Sequence, residues 1–121
     1  MKANYELVKH AVESLKDEWQ SRMDLGHVAI THTYLPAFNE DDHLIVAQTN
    51  AMWEYRSATV RWWLAGAARL DHREIEDTLV HEYTHILLAP IESKIPDKHL
   101  ELKEFAVESV ARALMRSKYG K

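Results

Sequence analysis

The sequence contains no cysteine. Disulfide bonds and thiolate-held metals are therefore excluded, and any bound metal must be held by histidine, aspartate or glutamate side chains. The sequence also lacks a basic cluster that would follow a phosphate backbone, because its 15 basic residues are spread among 19 acidic ones and the net charge is −4. We therefore expect no nucleic-acid partner.

Long apolar runs are also missing. No stretch approaches the roughly 18 apolar residues needed to cross a bilayer, and the segment Met1–Glu6 lacks the apolar core of a signal peptide. We expect a cytoplasmic protein without membrane contact. Its 121 residues, of which 46% are hydrophobic, predict one domain with a single core over residues 1–121.

Hydrophobic periodicity predicts a helix followed by a small sheet. Apolar residues at three- and four-residue spacing indicate an amphipathic N-terminal helix that begins after Asn4, a plausible N-cap, and ends near Leu25 and Gly26. Alternating apolar and polar residues then predict strands from His27 to Leu35 and from Tyr55 to Leu64. A short, mostly apolar run predicts a third strand from Leu44 to Gln48.

Two further helices are predicted after the strands. Asp71 and Glu74 have the spacing of a capping box, which predicts a helix from His72 to Pro90. A last helix is predicted from about Asp97 to Lys118. The order of helix, three-stranded sheet and two helices is typical of a small α+β domain.

The predicted helix from His72 to Pro90 contains the pattern His-Glu-x-x-His, formed by His81, Glu82 and His85. Residues four apart on a helix lie one above the other, so the two imidazoles face one point and Glu82 lies about 100° round the axis. This arrangement suits a zinc ion held by two histidines with a carboxylate beside its bound water.

A third ligand is expected on the last predicted helix. Glu104 falls inside the apolar arc of that helix, and Glu108 lies just outside its edge. A carboxylate on an apolar face is costly to bury unless it is paired or bound to a metal. Glu104 is the stronger candidate and Glu108 the weaker one.

Residues 79–90 and 104–114 together resemble the zincin metallopeptidases of the gluzincin type, and in particular small phage- and prophage-encoded minimal gluzincins. The resemblance implies a zinc metalloendopeptidase with a minimal zincin-like fold that acts on a protein or peptide substrate. It implies that His81, His85 and Glu104 hold Zn²⁺ and that Glu82 is the general base. Glu108 matches an acid that hydrogen-bonds a ligand histidine in such enzymes.

The resemblance also implies that the substrate lies along an edge strand, for which the Tyr55 to Leu64 strand is the candidate, with Arg56 or Arg61 available to contact it. The residue that stabilises the oxyanion stays open among Tyr55, His72, His99 and Tyr119. Of the adjacent tryptophans, we expect one in the core and one partly exposed.

Two other interpretations compete with a peptidase. In the first, the same residues hold zinc only for stability, and the sheet edge or an exposed Trp63 binds a protein partner. In the second, the motif arose by chance in a helical domain without metal.

Overall fold

In the computed structural model, which describes residues 2–36, 39–40 and 43–120, a long helix precedes a small sheet and two long helices follow it. The predicted α+β fold class is therefore confirmed. The helices are α1 (Lys2–Arg22), α2 (Leu64–Ala67), α3 (His72–Glu92) and α4 (Leu100–Tyr119). The strands are β1 (Ala29–Leu35), β2 (Asn39–Glu40), β3 (His43–Leu44), β4 (Ala47–Met52) and β5 (Ser57–Trp63). Short 3-10 turns cover Trp53–Tyr55 and Asp97–His99.

Helix α1 differs from its prediction at both ends. It begins before Asn4, so the assignment of Asn4 as the N-cap is wrong; the preceding lysine and alanine are good helix formers. At the other end, Asp24 has a φ of 55°, and the Leu25 amide donates to the Gln20 carbonyl at 2.8 Å. The left-handed backbone conformation of Asp24 and the hydrogen bond from Leu25 together end the helix. Asp24, and not Gly26, therefore terminates it.

The three-stranded sheet has the order β1-β5-β4, with β1 parallel and β4 antiparallel to β5. The strand predicted over Tyr55 to Leu64 is present as β5, but it is paired on both sides. Its predicted role as the substrate-binding edge is therefore wrong, because a central strand has no free backbone groups to offer a peptide. Strand order follows from tertiary pairing, which the alternation within one strand does not encode.

The strand predicted from Leu44 to Gln48 is also wrong. Residues 43–44 pair with β2 in a separate two-stranded ribbon, and the edge strand of the main sheet is β4, Ala47–Met52. Strand β4 alternates between half-buried Ala47, Thr49 and Ala51 and exposed residues between them. Its inward residues are small or polar, so the apolar alternation that marks a strand is weak here.

One glycine sets the approach of α2 to the chain just before β4. A Cβ atom added at Gly66 would lie 2.6 Å from the carbonyl oxygen of Ile45 and 3.1 Å from its carbonyl carbon. Only glycine allows this contact between two backbones. Gly66 therefore helps to fix where β4 begins.

The main core lies where α1 and α3 pack against the inner face of the sheet. Its largest fully buried side chains include Trp19, Trp62, Leu79 and Tyr83. Trp63 is only 8% exposed, so the expectation that one of the adjacent tryptophans is partly exposed is wrong. The exposed tryptophan is Trp53, at 38%.

Helix α3 begins with the predicted capping box, in which the Glu74 amide donates to Asp71 Oδ1 at 2.8 Å and the Asp71 amide donates to Glu74 Oε1 at 3.0 Å. It continues through Pro90 to Glu92, so the predicted end at Pro90 is wrong. Proline removes one hydrogen bond from a helix. The chain nevertheless stays helical, and the Ser93 amide and hydroxyl donate to carbonyls of the last turn.

Helix α4 is fastened to α1 and α3 near its C-terminus. Glu76, fully buried on α3, accepts hydrogen bonds from Trp19 Nε1 at 2.7 Å, from Lys118 Nζ at 2.5 Å and from the Tyr119 hydroxyl. Burial alone would raise the pKa of Glu76, but these donors outweigh it and lower the pKa below the usual value.

None of the helices formed by residues 2–36, 39–40 and 43–120 combines the length and the apolar composition that a membrane span requires.

Candidate metal centre

The two motif histidines lie one turn apart on the same side of α3. Their ring centroids are 5.0 Å apart and the rings meet edge to face. Both side chains are partly accessible, His81 at 28% and His85 at 23%. Both side chains therefore reach the protein surface and do not lie in the core.

Glu104 reaches this pair from α4. Its Oε2 lies 3.8 Å from His81 Nε2, and its Oε1 lies 3.7 Å from His85 Nε2. One ligand atom from each of the three residues lies within 4.8 Å of the others, a cluster that could bind a metal ion.

The spacing of the cluster fits a small divalent ion. Two ligand atoms of a tetrahedral zinc, each about 2.1 Å from the metal, are about 3.4 Å apart. The two distances from the histidines to Glu104, 3.8 and 3.7 Å, exceed this by a few tenths of an ångström and end on different oxygens of the carboxylate, and one ligand atom from each residue lies within 4.8 Å of the others. Two imidazoles and one carboxylate are also a donor set that zinc accepts, and it leaves a fourth position open.

A second carboxylate, that of Glu92, contacts His85 from the side away from Glu104. Its two oxygens each lie 3.3 Å from His85 Nδ1, which leaves Nε2 of that ring directed at Glu104. Glu108, predicted for this role, is exposed, and in the described part of the chain it makes no hydrogen bond to either histidine. Because α3 continues past Pro90, Glu92 lies two turns after His85 on the same helix.

Glu82 is nearly buried, at 7% exposure, beside the cluster. Thr49 of β4 donates its hydroxyl to Glu82 Oε1 at 2.6 Å. Within the described residues, no protein group hydrogen-bonds the other carboxylate oxygen. Thr49 thus orients the carboxylate and leaves Oε2 available to a ligand or a water molecule.

A groove of about 840 Å³ contains the whole arrangement. It is lined by β4 along residues 47–51, by α3 between His81 and Glu92, and by Lys103 and Glu104. The Lys103 side chain is only 11% exposed, and its Nζ lies 3.5 Å from Asp97. The groove therefore holds a nearly buried cation as well as the acidic groups.

None of the four oxyanion candidates lines this groove in the described part of the chain. Tyr119 bonds Glu76 in the anchor of α4, His72 lines a hollow beside α1, and Tyr55 is 75% exposed on the turn before β5.

Sequence reasoning missed Thr49, Glu92 and Lys103. Glu92 had the clearest signal, since it lies seven residues after His85, but the predicted stop at Pro90 removed it from the helix. Thr49 lay just beyond a strand predicted to end at Gln48.

No known protein family, curated protein or solved structure matches the chain. The class of the protein therefore follows from its structure alone. It is an α+β domain whose last two long helices bring together His81, His85 and Glu104 in a cluster that could bind a metal ion.

Proposed function

We propose that the protein is a zinc-dependent peptidase. In this proposal His81, His85 and Glu104 hold the metal, and Glu82 is the general base. The supporting observation is the position of Glu104, which comes from a separate helix and yet lies within 3.8 Å of both motif histidines. A zinc ion held there would supply Lewis acidity that polarises the scissile carbonyl and makes a water molecule easier to deprotonate.

Glu82 supplies the proton transfers. Its free Oε2 takes a proton from the attacking water as the water oxygen bonds to the scissile carbonyl carbon. The same carboxyl group then gives that proton to the amine nitrogen as the carbon–nitrogen bond breaks. The Thr49 hydroxyl, which is bonded to Oε1, keeps the carboxylate in one orientation throughout.

The peptide substrate lies along β4. In the described part of the chain this strand pairs only with β5, and its other side opens on the groove. An extended peptide can add to such an edge through backbone hydrogen bonds. Strand β4 thus takes the role that was predicted for the Tyr55 to Leu64 strand.

The first experiment measures metal content and hydrolysis together. Purified protein should contain about one zinc per chain and should cleave a mixed peptide pool, with cleavage sites read by mass spectrometry. Glu82→Gln should keep the zinc and abolish cleavage, because an amide cannot accept the proton. Glu104→Gln should lose the zinc, whereas the matched Glu108→Gln should keep it.

A zinc-stabilised binding module is the competing function. The cluster joins α3 to α4, and a metal that crosslinks two helices stabilises a small domain directly. This function predicts bound zinc, no cleavage of any peptide in the pool and no difference between wild type and Glu82→Gln. Trp63 is buried, so its predicted role as an exposed partner contact is wrong. Absence of stoichiometric zinc would contradict both functions.

A further inference from the structure

An apolar hollow of about 180 Å³ lies at one end of the groove. Seven of its ten lining residues are apolar, among them Val28, Trp53, Ile86 and Leu87, and the other three are His27, Arg56 and Ser57. Ala51 lines both the groove and the hollow, so the two adjoin at the end of β4. A peptide that follows β4 past the cluster therefore passes the mouth of the hollow.

We propose that this apolar hollow is the specificity pocket of the groove and that it takes a large apolar side chain on the amino-terminal side of the scissile bond. This inference rests on the proposed peptidase function.

The chemistry of the lining favours an apolar occupant. Trp53 and Leu87 are 38% and 39% exposed, and a large side chain placed between them removes apolar surface from water. Arg56 also lines the hollow, and its positive charge disfavours a lysine or arginine there.

The position of the pocket relative to the scissile bond follows from β4. Thr49 contacts Glu82 and so marks the reacting position, and Ala51 lies two residues further along the strand, about 7 Å away. Antiparallel pairing is the more stable kind per residue, and a peptide added in this way runs opposite to β4. The peptide residue beside Ala51 then lies two residues before the one beside Thr49, on the same face of the sheet. If the residue beside Thr49 supplies the scissile carbonyl, the residue beside Ala51 is the third one before the scissile bond.

The turn that carries Trp53 is held by backbone hydrogen bonds of its own. Arg56 has a φ of 53°, its amide donates to the Trp53 carbonyl at 3.1 Å, and its own carbonyl accepts from the Ala29 amide at 2.9 Å. This turn fixes the backbone of Trp53 between β4 and β5. The main chain that carries the indole therefore does not depend on a bound substrate for its position.

Paired peptides test the inference. Each pair differs only at the third residue before the scissile bond, with leucine or phenylalanine in one peptide and alanine in the other. Wild type should cleave the apolar member with a kcat/KM at least about tenfold higher. Leu87→Gln should raise KM for the apolar member and leave the alanine member unchanged.

Leu7→Gln is the matched control, because Leu7 is an exposed leucine on α1, at 64%, away from the hollow. Leu7→Gln should leave kcat/KM unchanged for both peptides. Cleavage without preference at this position, or an equal effect of Leu87→Gln on both peptides, would overturn the pocket and leave the peptidase function standing.

A binding experiment separates the pocket from catalysis. Trp19, Trp62 and Trp63 are buried at 1%, 0% and 8% exposure, so Trp53 is the tryptophan that responds to a ligand in the hollow. In Glu82→Gln, the phenylalanine peptide should change the fluorescence saturably, the alanine peptide should do so only at about tenfold higher concentration, and Trp53→Phe should abolish the signal. If wild type cleaves nothing, the peptidase function fails. The titration is then made with peptides that differ only by phenylalanine or alanine at one position. A difference between the two peptides supports the pocket, and equal binding overturns it.

Discussion

Replacement of Glu92 by glutamine should weaken metal binding at the cluster. Glu92 contacts His85 Nδ1 with both oxygens at 3.3 Å and therefore holds the ring with Nε2 toward Glu104. A carboxylate behind a ligand histidine typically contributes about 10- to 100-fold in metal affinity. The 3.3 Å separation is longer than the roughly 2.8 Å of a strong charge-assisted hydrogen bond. We therefore expect the lower end, about tenfold, or about 1.4 kcal/mol.

Competition with a chromophoric chelator at constant pH measures this affinity directly. Glu108→Gln is the matched control, because it makes the same chemical change at an exposed position of α4. It should leave the zinc affinity within about twofold of the wild-type value. The reasoning fails if Glu92→Gln binds zinc as tightly as wild type, or if Glu108→Gln weakens binding equally. The second result would mean that Glu108, as the sequence predicted, supports a ligand histidine.

Three further predictions concern stability. Gly66→Ala should destabilise the fold by about 1–3 kcal/mol, because the new Cβ would lie 2.6 Å from the Ile45 carbonyl oxygen; urea unfolding measures the loss, and an unchanged midpoint would contradict it. Glu76→Gln should cost about 2–3 kcal/mol, because it leaves Lys118 without its buried partner, and a matched Glu108→Gln should cost less than about 0.5 kcal/mol in the same urea titration. Burial lowers the pKa of His32 from 6.5 to about 4, so the folded state favours the neutral ring and stability falls as pH drops from 6.5 toward 4. At pH 5 the expected loss is about 2 kcal/mol relative to pH 8, and His32→Gln should lack this contribution; equal pH profiles for the two proteins would refute it.

The sequence predicted those features that depend on periodicity within one element. The His81 and His85 pair follows from helical spacing, and the choice of Glu104 follows from its place in the apolar arc of a helix that is continuous in the structure. The capping box of Asp71 and Glu74 is likewise a local pattern, and it is confirmed.

The errors arise where a local rule is overridden by contacts between elements. Proline usually ends a helix, yet α3 passes through Pro90 and thereby brings Glu92 to His85. Strand order depends on pairing between distant segments, so the edge position of β4 was out of reach. Glu76 was missed because a buried acid can be recognised only when its donors, Trp19 and Lys118, are known to converge on it.

Helix α4 is attached in two chemically different ways. Near its C-terminus, Lys118 and Tyr119 bind the buried Glu76, whereas near its N-terminus Glu104 lies beside the histidine cluster. The two ends of α4 therefore differ in what holds them, and a metal bound by Glu104 and the two histidines would add a crosslink to the N-terminal end alone. Metal binding should therefore slow amide exchange in the first turns of α4 and leave the exchange around Glu76 unchanged.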